Sequence, residues 1–312
     1  MCTHFSTHMQ TDKKLTISIP TFDREDFLRQ ALESIENQSM QDFEVILFDN
    51  ASPYNVKALI NEFPSLEISL LCNTENIGNQ ANFKKVMSYN YNTPYVMIFH
   101  DDDTLHPSYL TDAIAILEND KKIIWVGSII RFVLSGTKDI NKFPKLTEKS
   151  SIVTYNKKEL ADAFMSRLHL GFSSVIYRTE TLKETVLDVQ RFHKWLDRPY
   201  LLEALGYDKA AVLHFPYVHY RIHKGQDSSK SYRNHIDTMV NLIDYLKNTG
   251  SPGLKTDKFT TTSSLRTAIA NACSISDFGL ILSKFHDRDL YRTRNISAYA
   301  IYWSIRTIIN RL

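Results

Sequence analysis

Between Leu15 and His100, four short apolar runs alternate with three stretches whose apolar residues recur at helical spacing. The runs are Leu15 to Ile19, Phe43 to Phe48, Glu67 to Cys72 and Tyr95 to His100. They are bounded by turn residues and rich in β-branched and aromatic side chains, as buried strands are. Between them, Phe27, Leu28, Ala31, Leu32 and Ile35 mark a helix that Asp23 can cap, Val56 to Phe63 a short second one, and Gln80 to Tyr89 a third. Strands separated by helices cannot form hairpins, so this β-α-β-α-β-α-β order predicts a mainly parallel sheet with helices on both faces. Ligands of such open sheets bind outside the carboxyl ends of the strands.

That edge carries the most telling residues. Asp101-Asp102-Asp103 follows the fourth run directly, and Pro107 then fits the first turn of a helix from Ser108 to Asn119. Carboxylates crowded at a buried strand end repel one another unless a cation or hydrogen-bond donors compensate, and hard divalent cations prefer oxygen ligands. One reading is a metal-assisted nucleotide-sugar site; the other is a solvated acidic turn. The turn Asp49-Asn50-Ala51-Ser52-Pro53 marks a second strand end, where Asp49 either binds ligand or accepts from nearby backbone amides.

The rest of the chain continues the mixed pattern. Ile123 to Leu134 reads as a long strand containing Gly127, and Gly136 to Lys149 as a charged, mobile connection. A helix from Lys157 to Leu168 and a strand from Phe172 to Tyr177 follow, and the chain turns helical again near Asp197. Ala210 to Phe215 and Tyr217 to Ile222 read as two short strands. From Ser231 only helical patterns remain, with a break expected at Gly250-Ser251-Pro252-Gly253. The expected organisation is a mobile tail over 1–13, an α/β domain over 14–230 and a helical region over 231–312. No GxGxxG or GxxxxGK[ST] occurs, so dinucleotide fingerprint and P-loop are both excluded. A net charge of +2 does not point to nucleic acid. Cys2, Cys72 and Cys273 lack metal-ligand spacing and suit a reducing, cytoplasmic setting. No 18-residue apolar stretch or signal-peptide pattern is present, so neither a membrane span nor secretion is expected.

Several segments in order resemble the family 2 glycosyltransferases of the GT-A fold. Ile17-Ser18-Ile19-Pro20-Thr21-Phe22-Asp23-Arg24 resembles the family's P-T-Y-N-R opening, with Asp23 in place of Asn. Ala31 to Gln38 with Asp42-Phe43-Glu44-Val45-Ile46 resembles its SIxxQxxxxFEVI stretch. Asp49-Asn50-Ala51-Ser52 resembles its DDGS turn, Asn76-Ile77-Gly78 its N-x-G turn, and His100 to Asp103 its DXD region. His219 to Ser229 resembles its YRxHxxxxS closing element. The match spans roughly 15–225. It implies a Rossmann-like GT-A domain with a helical C-terminal extension, and inverting, metal-dependent sugar transfer from a nucleotide-diphosphate donor, a UDP-sugar, to a glycan or lipid-linked glycan hydroxyl in polysaccharide assembly. Donor contacts would come from Pro20, Thr21, Asp23, Asp49, Asn76, Asp101, Asp102, Arg221 and Ser228. Asp101, Asp103 and His223 would hold Mn²⁺ or Mg²⁺; the triplet also permits an Asp102/Asp103 register. His100 is expected to pack in the strand end. Lys224 to Tyr232 would close over the donor phosphates. Asp197 would be the general base that deprotonates the acceptor, with Asp188 and Glu203 as competitors and a helix cap as its plain structural role.

Ile301, Ile305, Ile308, Ile309 and Leu312 form an apolar stripe, and six Lys or Arg against two Asp make the stretch from Lys284 onward basic. Such a helix rests on an anionic membrane at the inner face, or packs on its own domain or on a second copy in a homo-oligomer. Two rival functions remain open from sequence: a catalytically silent carbohydrate-binding scaffold, against which the intact carboxylates speak, and a nucleotidyltransferase, whose Gly-rich phosphate loop is missing.

Overall fold

The computed structural model describes residues 12–251, apart from 138, 147–150, 167, 187, 194 and 227–234. Ser228, the Ile301 to Leu312 stripe, most of the expected tail and most of the expected phosphate-closing loop therefore lie outside the described residues. The chain divides into two compact units. Among the described residues, the first takes those up to Asn156 with His169–Thr185 and Ala204–His223, and the second takes those of Lys157–Leu168, Val186–Glu203 and from Lys224 to Ser251.

The first unit is built on the predicted alternation. Strands β1 (Leu15–Thr21), β2 (Phe43–Asp49), β3 (Ile68–Cys72) and β4 (Tyr95–Ile98) are joined through helices α1 (Glu25–Glu36), α2 (Val56–Ile60) and α3 (Asn79–Met87). The four strands pair in parallel in the order β3-β2-β1-β4. β1 is buried on both faces, the usual state of a central parallel strand. Its three buried hydroxyls are satisfied internally: Thr16 bonds Thr93 and Glu44, Ser18 accepts from Tyr91, and Thr21 donates to Asp101. α1 turns Leu28, Ala31, Leu32 and Ile35 to the core, as its spacing requires.

Beyond β4 the sheet changes direction. β8 (Val175–Arg178) pairs antiparallel with both β4 and β6 (Ile123–Leu134), and β6 pairs in parallel with β9 (Lys209–Ile222). The short β5 (Thr104–Leu105) and β7 (Ile152–Tyr155) join β9 antiparallel. β7 was not legible in the sequence. Gly127 is explained by β8: a Cβ there would meet Val175 Cγ2 at 3.3 Å and the Trp125 ring at 3.4 Å. The two strands expected around Pro216 are one, with a correction at the proline. The pairing with β6 jumps from Ser128–Leu213 to Ile130–Val218, because proline has no N–H to give and the ladder skips it.

One local expectation is overturned. Asp23 does not cap α1; the residue flanking the helix is Arg24, whose carbonyl accepts from Leu28 N. Asp23 instead sits in the left-handed region at φ +52°, and its N–H donates to Ser52 Oγ at 3.1 Å. The strand therefore passes into the helix through a sharp turn that aims the Arg24 side chain at the triplet.

In the second unit, α5 (Lys157–Met165) packs on α9 (His235–Thr249), burying Leu160, Ala161 and Phe164 with Met239, Val240, Ile243 and Leu246. Asp162 on α5 accepts from both Ser251 N (2.8 Å) and Ser251 Oγ (2.6 Å), which holds the chain leaving α9. α7 (Val189–Phe192) and α8 (Asp197–Glu203) complete the described part.

Candidate active site

β4 ends at the carboxyl edge of the sheet, and Asp101, Asp102 and Asp103 are only 3%, 6% and 0% exposed. An isolated buried carboxylate is too costly to persist, so each finds donors. Asp101 accepts from Thr21 Oγ1 (2.9 Å), Arg24 Nη1 (2.9 Å) and, at longer range, Phe22 N (3.4 Å). Asp102 accepts from the same Arg24 Nη1 (3.0 Å) and lies 3.0 Å from His223 Nε2. Asp103 accepts from Ser173 Oγ (2.6 Å) and Arg221 N (3.0 Å), with His100 Nδ1 at 3.6 Å from its carboxylate.

These donors do not balance the negative charge. Burial and the neighbouring charge of Asp102 push the Asp101 carboxyl up to about 6. The same two causes push Asp103 well above the usual carboxylate range. Burial also acts to raise Asp102, but the bond from His223 and the neighbouring cationic groups bring it below its ordinary value. Burial and like charge both act against the ionised forms of Asp101 and Asp103, and a divalent cation would offset both. The residues present fit such an ion. Among the described residues, the set that brings one ligand atom from each residue within 4.8 Å of the others is His100, Asp102 and Asp103, in the alternative Asp102/Asp103 register. His223 reaches the triplet through Asp102 at 3.0 Å, so the expected set of Asp101, Asp103 and His223 is not gathered in this way. His100, expected to pack in the strand end, is therefore also placed among the carboxylates.

Arg221 is anchored rather than exposed. Its Nε donates to the Asp102 carbonyl (2.7 Å), its Nη2 to Gln30 Oε1 (2.8 Å), and its guanidinium lies over the Phe27 ring at 4.4 Å. Phe27 also meets the His223 ring edge to face at 5.0 Å. Helix α1 thus fixes the end of β9 through Phe27 and Gln30, while Arg24, just before the helix, reaches the triplet. β9 contributes through its register: Thr104 pairs with His219, so Arg221 and His223 fall beside the Asp102–Asp103 backbone.

The end of β2 forms the neighbouring wall. Asp49 Oδ1 accepts from Ser52 N (3.0 Å), the turn role weighed for it, and Ala51 is left-handed at φ +62°. Asn50 organises the adjoining loop. Its Oδ1 accepts from Asn73 Nδ2 (2.9 Å) and Ile77 N (3.0 Å), while its Nδ2 donates to Asn76 Oδ1 (2.7 Å). Asn76 Oδ1 also accepts from Gly78 N (2.8 Å), and Gly78 takes φ +85°, which glycine tolerates without strain. The Tyr54 hydroxyl is buried beside Thr21 and Ser52, and burial pushes it up to about 12.

The first unit thus brings together Pro20, Thr21, Asp23, Asp49, Asn76, the triplet, Arg221 and His223. Asp197 opens α8 in the second unit. Of its competitors, Asp188 caps α7 by accepting from Arg191 N (3.0 Å), and Glu203 accepts from Lys157 Nζ (2.9 Å) and the Tyr245 hydroxyl. Sequence reasoning missed Arg24, Asn50, Tyr54 and Ser173 as individuals. Arg24 and Asn50 stood inside quoted motifs and could have been found there. Ser173 gave no signal, since only the antiparallel insertion of β8 beside β4 carries it to Asp103.

Comparison with known proteins agrees with this architecture. The family "Glycosyl transferase family 2" matches residues 16–182. The teichoic acid poly(glycerol phosphate) polymerase of Staphylococcus epidermidis is 24% identical over 210 residues, 65% of this chain and 28% of that protein. The abequosyltransferase RfbV of Salmonella typhimurium is 32% identical over 109 residues, 33% of this chain and 31% of that protein. The chain therefore spans less than a third of the length of either relative. Among solved structures, residues 1–349 of S. aureus TarS in complex with UDP-GlcNAc superpose with a TM-score of 0.59 at 16% identity, covering 96% of this chain and 89% of that one. The mannosyltransferase PcManGT of Pyrobaculum calidifontis, in complex with GDP-Man and Mn²⁺, superposes with a TM-score of 0.52, also at 16% identity, covering 96% and 86%. Both share the GT-A-like mixed α/β architecture. With more than half of its length matched by the family, in the region that builds β1 to β4 and the buried carboxylate edge, this chain belongs to glycosyl transferase family 2 and is an enzyme of that family.

Proposed function

We propose that this enzyme transfers a sugar from a UDP-sugar, with inversion and with a divalent cation, to a hydroxyl of a glycan or lipid-linked glycan. The observation that carries the reading is the buried triplet at the end of β4, three adjacent carboxylates at 6% exposure or less, two of them bridged by Arg24. A TarS fragment is known in complex with UDP-GlcNAc, and PcManGT with GDP-Man and Mn²⁺. Both support a nucleotide-sugar donor, and the second supports a metal.

The roles follow from chemistry. Asp101, Asp103 and His223 would hold Mn²⁺ or Mg²⁺. When bound, the ion acts as a Lewis acid that stabilises the charge developing on the departing diphosphate. Thr21 and Arg24 orient Asp101, while Ser173 and the Arg221 amide orient Asp103, so the carboxylates are held before the donor arrives. Pro20, Thr21, Asp23, Asp49, Asn76 and Asp102 would line the donor side, Arg221 supports the triplet edge through Gln30 and Phe27, and Ser228, outside the described residues, would contact the diphosphate by the family resemblance. Asp197 takes the proton of the attacking hydroxyl; direct displacement by that hydroxyl gives inversion.

Calorimetry tests the metal and the nucleotide together. UDP should bind more tightly with Mn²⁺ than with EDTA, and Asp103→Ala should abolish the difference. A metal-dependent gain that survives intact in Asp103→Ala would remove the triplet from the site.

A further inference from the structure

Arg24 does more than orient Asp101. Its single Nη1 atom sits 2.9 Å from Asp101 Oδ1 and 3.0 Å from Asp102 Oδ2, bridging two carboxylates that are themselves almost fully buried. The guanidinium is well anchored as a cation: burial disfavours its charge, but the charges of Asp101 and Asp102 outweigh this and raise its pKa. Arg24 lies in the strained turn after β1, preceded by left-handed Asp23, so the backbone aims it inward while 28% of its side chain stays exposed. Positive charge is thereby provided to the triplet from one side, in the place where a cation bound by Asp101 would draw on the same oxygens.

We propose that Arg24 is an internal cation that competes with the divalent ion for Asp101, which it bridges to Asp102, and that leaves both carboxylates for the donor's diphosphate when metal and nucleotide bind together. This rests on the metal-dependent reading above. Two cations cannot both take the same carboxylate oxygens at full strength without repelling each other in a buried site. Free metal alone must therefore displace a guanidinium that gains nothing by moving. Metal arriving with a nucleoside diphosphate gives that guanidinium a new anion, and arginine's planar fork suits phosphate oxygens. The result is positive coupling between metal and nucleotide, so the carboxylates are reserved for the donor-bound ion. By linkage, the same factor must appear whichever ligand is added first.

The test reads binding and needs no turnover. Mn²⁺ affinity is measured by electron paramagnetic resonance of the free ion, with and without UDP, for the full chain, Arg24→Gln and Arg24→Lys. Arg24→Gln should bind Mn²⁺ alone at least about tenfold more tightly than the wild type, the factor that ~1.4 kcal/mol represents. The gain that UDP brings to Mn²⁺ binding should shrink by a similar factor. Arg24→Lys keeps the charge and should fall between the two. Thermal melting without metal should show Arg24→Gln destabilised and restored by Mn²⁺, which separates lost counter-charge from misfolding. Equal or weaker Mn²⁺ binding by a folded Arg24→Gln, with undiminished coupling to UDP, overturns the competition while leaving the metal reading standing. Failure of every form, wild type included, to bind Mn²⁺ with or without UDP overturns both.

Discussion

At the scale of single residues, the site is a problem in buried charge. Three adjacent carboxylates at 6% exposure or less are tolerated only because each has a named donor. Ser173 is the plainest case, since its hydroxyl reaches fully buried Asp103 at 2.6 Å. Ser173→Ala should lower unfolding free energy by about 1–3 kcal/mol, the cost of leaving a buried group one partner short. Urea denaturation measures this, and a change below about 0.5 kcal/mol would mean that water or another donor replaces the hydroxyl. The conservative Ser173→Thr should recover most of the loss if the hydroxyl, rather than the volume, is what matters.

At the scale of elements, the loop between β3 and α3 is organised around the Asn50 carboxamide. Asn50 binds Asn73, Asn76 and the Ile77 amide at once, and the backbone of Asn73 is tied to the Asp49 carbonyl (2.8 Å). Asn50→Ala should leave the sheet intact but loosen this loop. Hydrogen exchange of the Ile77 and Gly78 amides should accelerate by about tenfold or more, as expected when roughly 1.4 kcal/mol of local protection is lost. Unchanged exchange at both amides would show that the backbone holds the turn without Asn50. A second element-level prediction concerns the contact between β6 and β8. Gly127→Val should destabilise by about 1–3 kcal/mol through overpacking against Val175 and Trp125, and Val175→Ala in the same chain should return part of it. Strictly additive losses in the double variant would place the strain elsewhere.

At the scale of the whole molecule, the chain passes repeatedly between its two units, so neither can be cut away as one segment. The described donor and metal candidates lie in the first unit, while Asp197 opens α8 in the second. Asp197→Asn keeps size and most hydrogen bonding but cannot take a proton at neutral pH. It should fold, bind UDP with near wild-type affinity, and lose about 10²- to 10⁴-fold in turnover. Donor affinity falling in step with rate would make Asp197 a binding or structural residue. Turnover near the wild-type level would return the base to Asp188 or Glu203, both of which already serve structural bonds.

What the sequence by itself determined is what depends on local pattern. The alternation from β1 to β4 was legible because strand and helix differ in the period of their apolar residues, and parallel order follows from the helices between them. The triplet and the Asp49 turn were legible because they end strands, where chain order alone puts them at one edge. Tertiary structure decided what depends on distant partners. β8 enters antiparallel beside β4, and nothing in Val175–Arg178 states its neighbour or direction. The merging of two expected strands into β9 depends on β6 skipping Pro216. The left-handed turn at Asp23 made Arg24 a partner of the triplet rather than making Asp23 a helix cap. Local pattern reports which faces must be buried, because burial is a property of each residue. It does not report which buried charges will meet, because that energy depends on distance, and only the folded chain sets the distance.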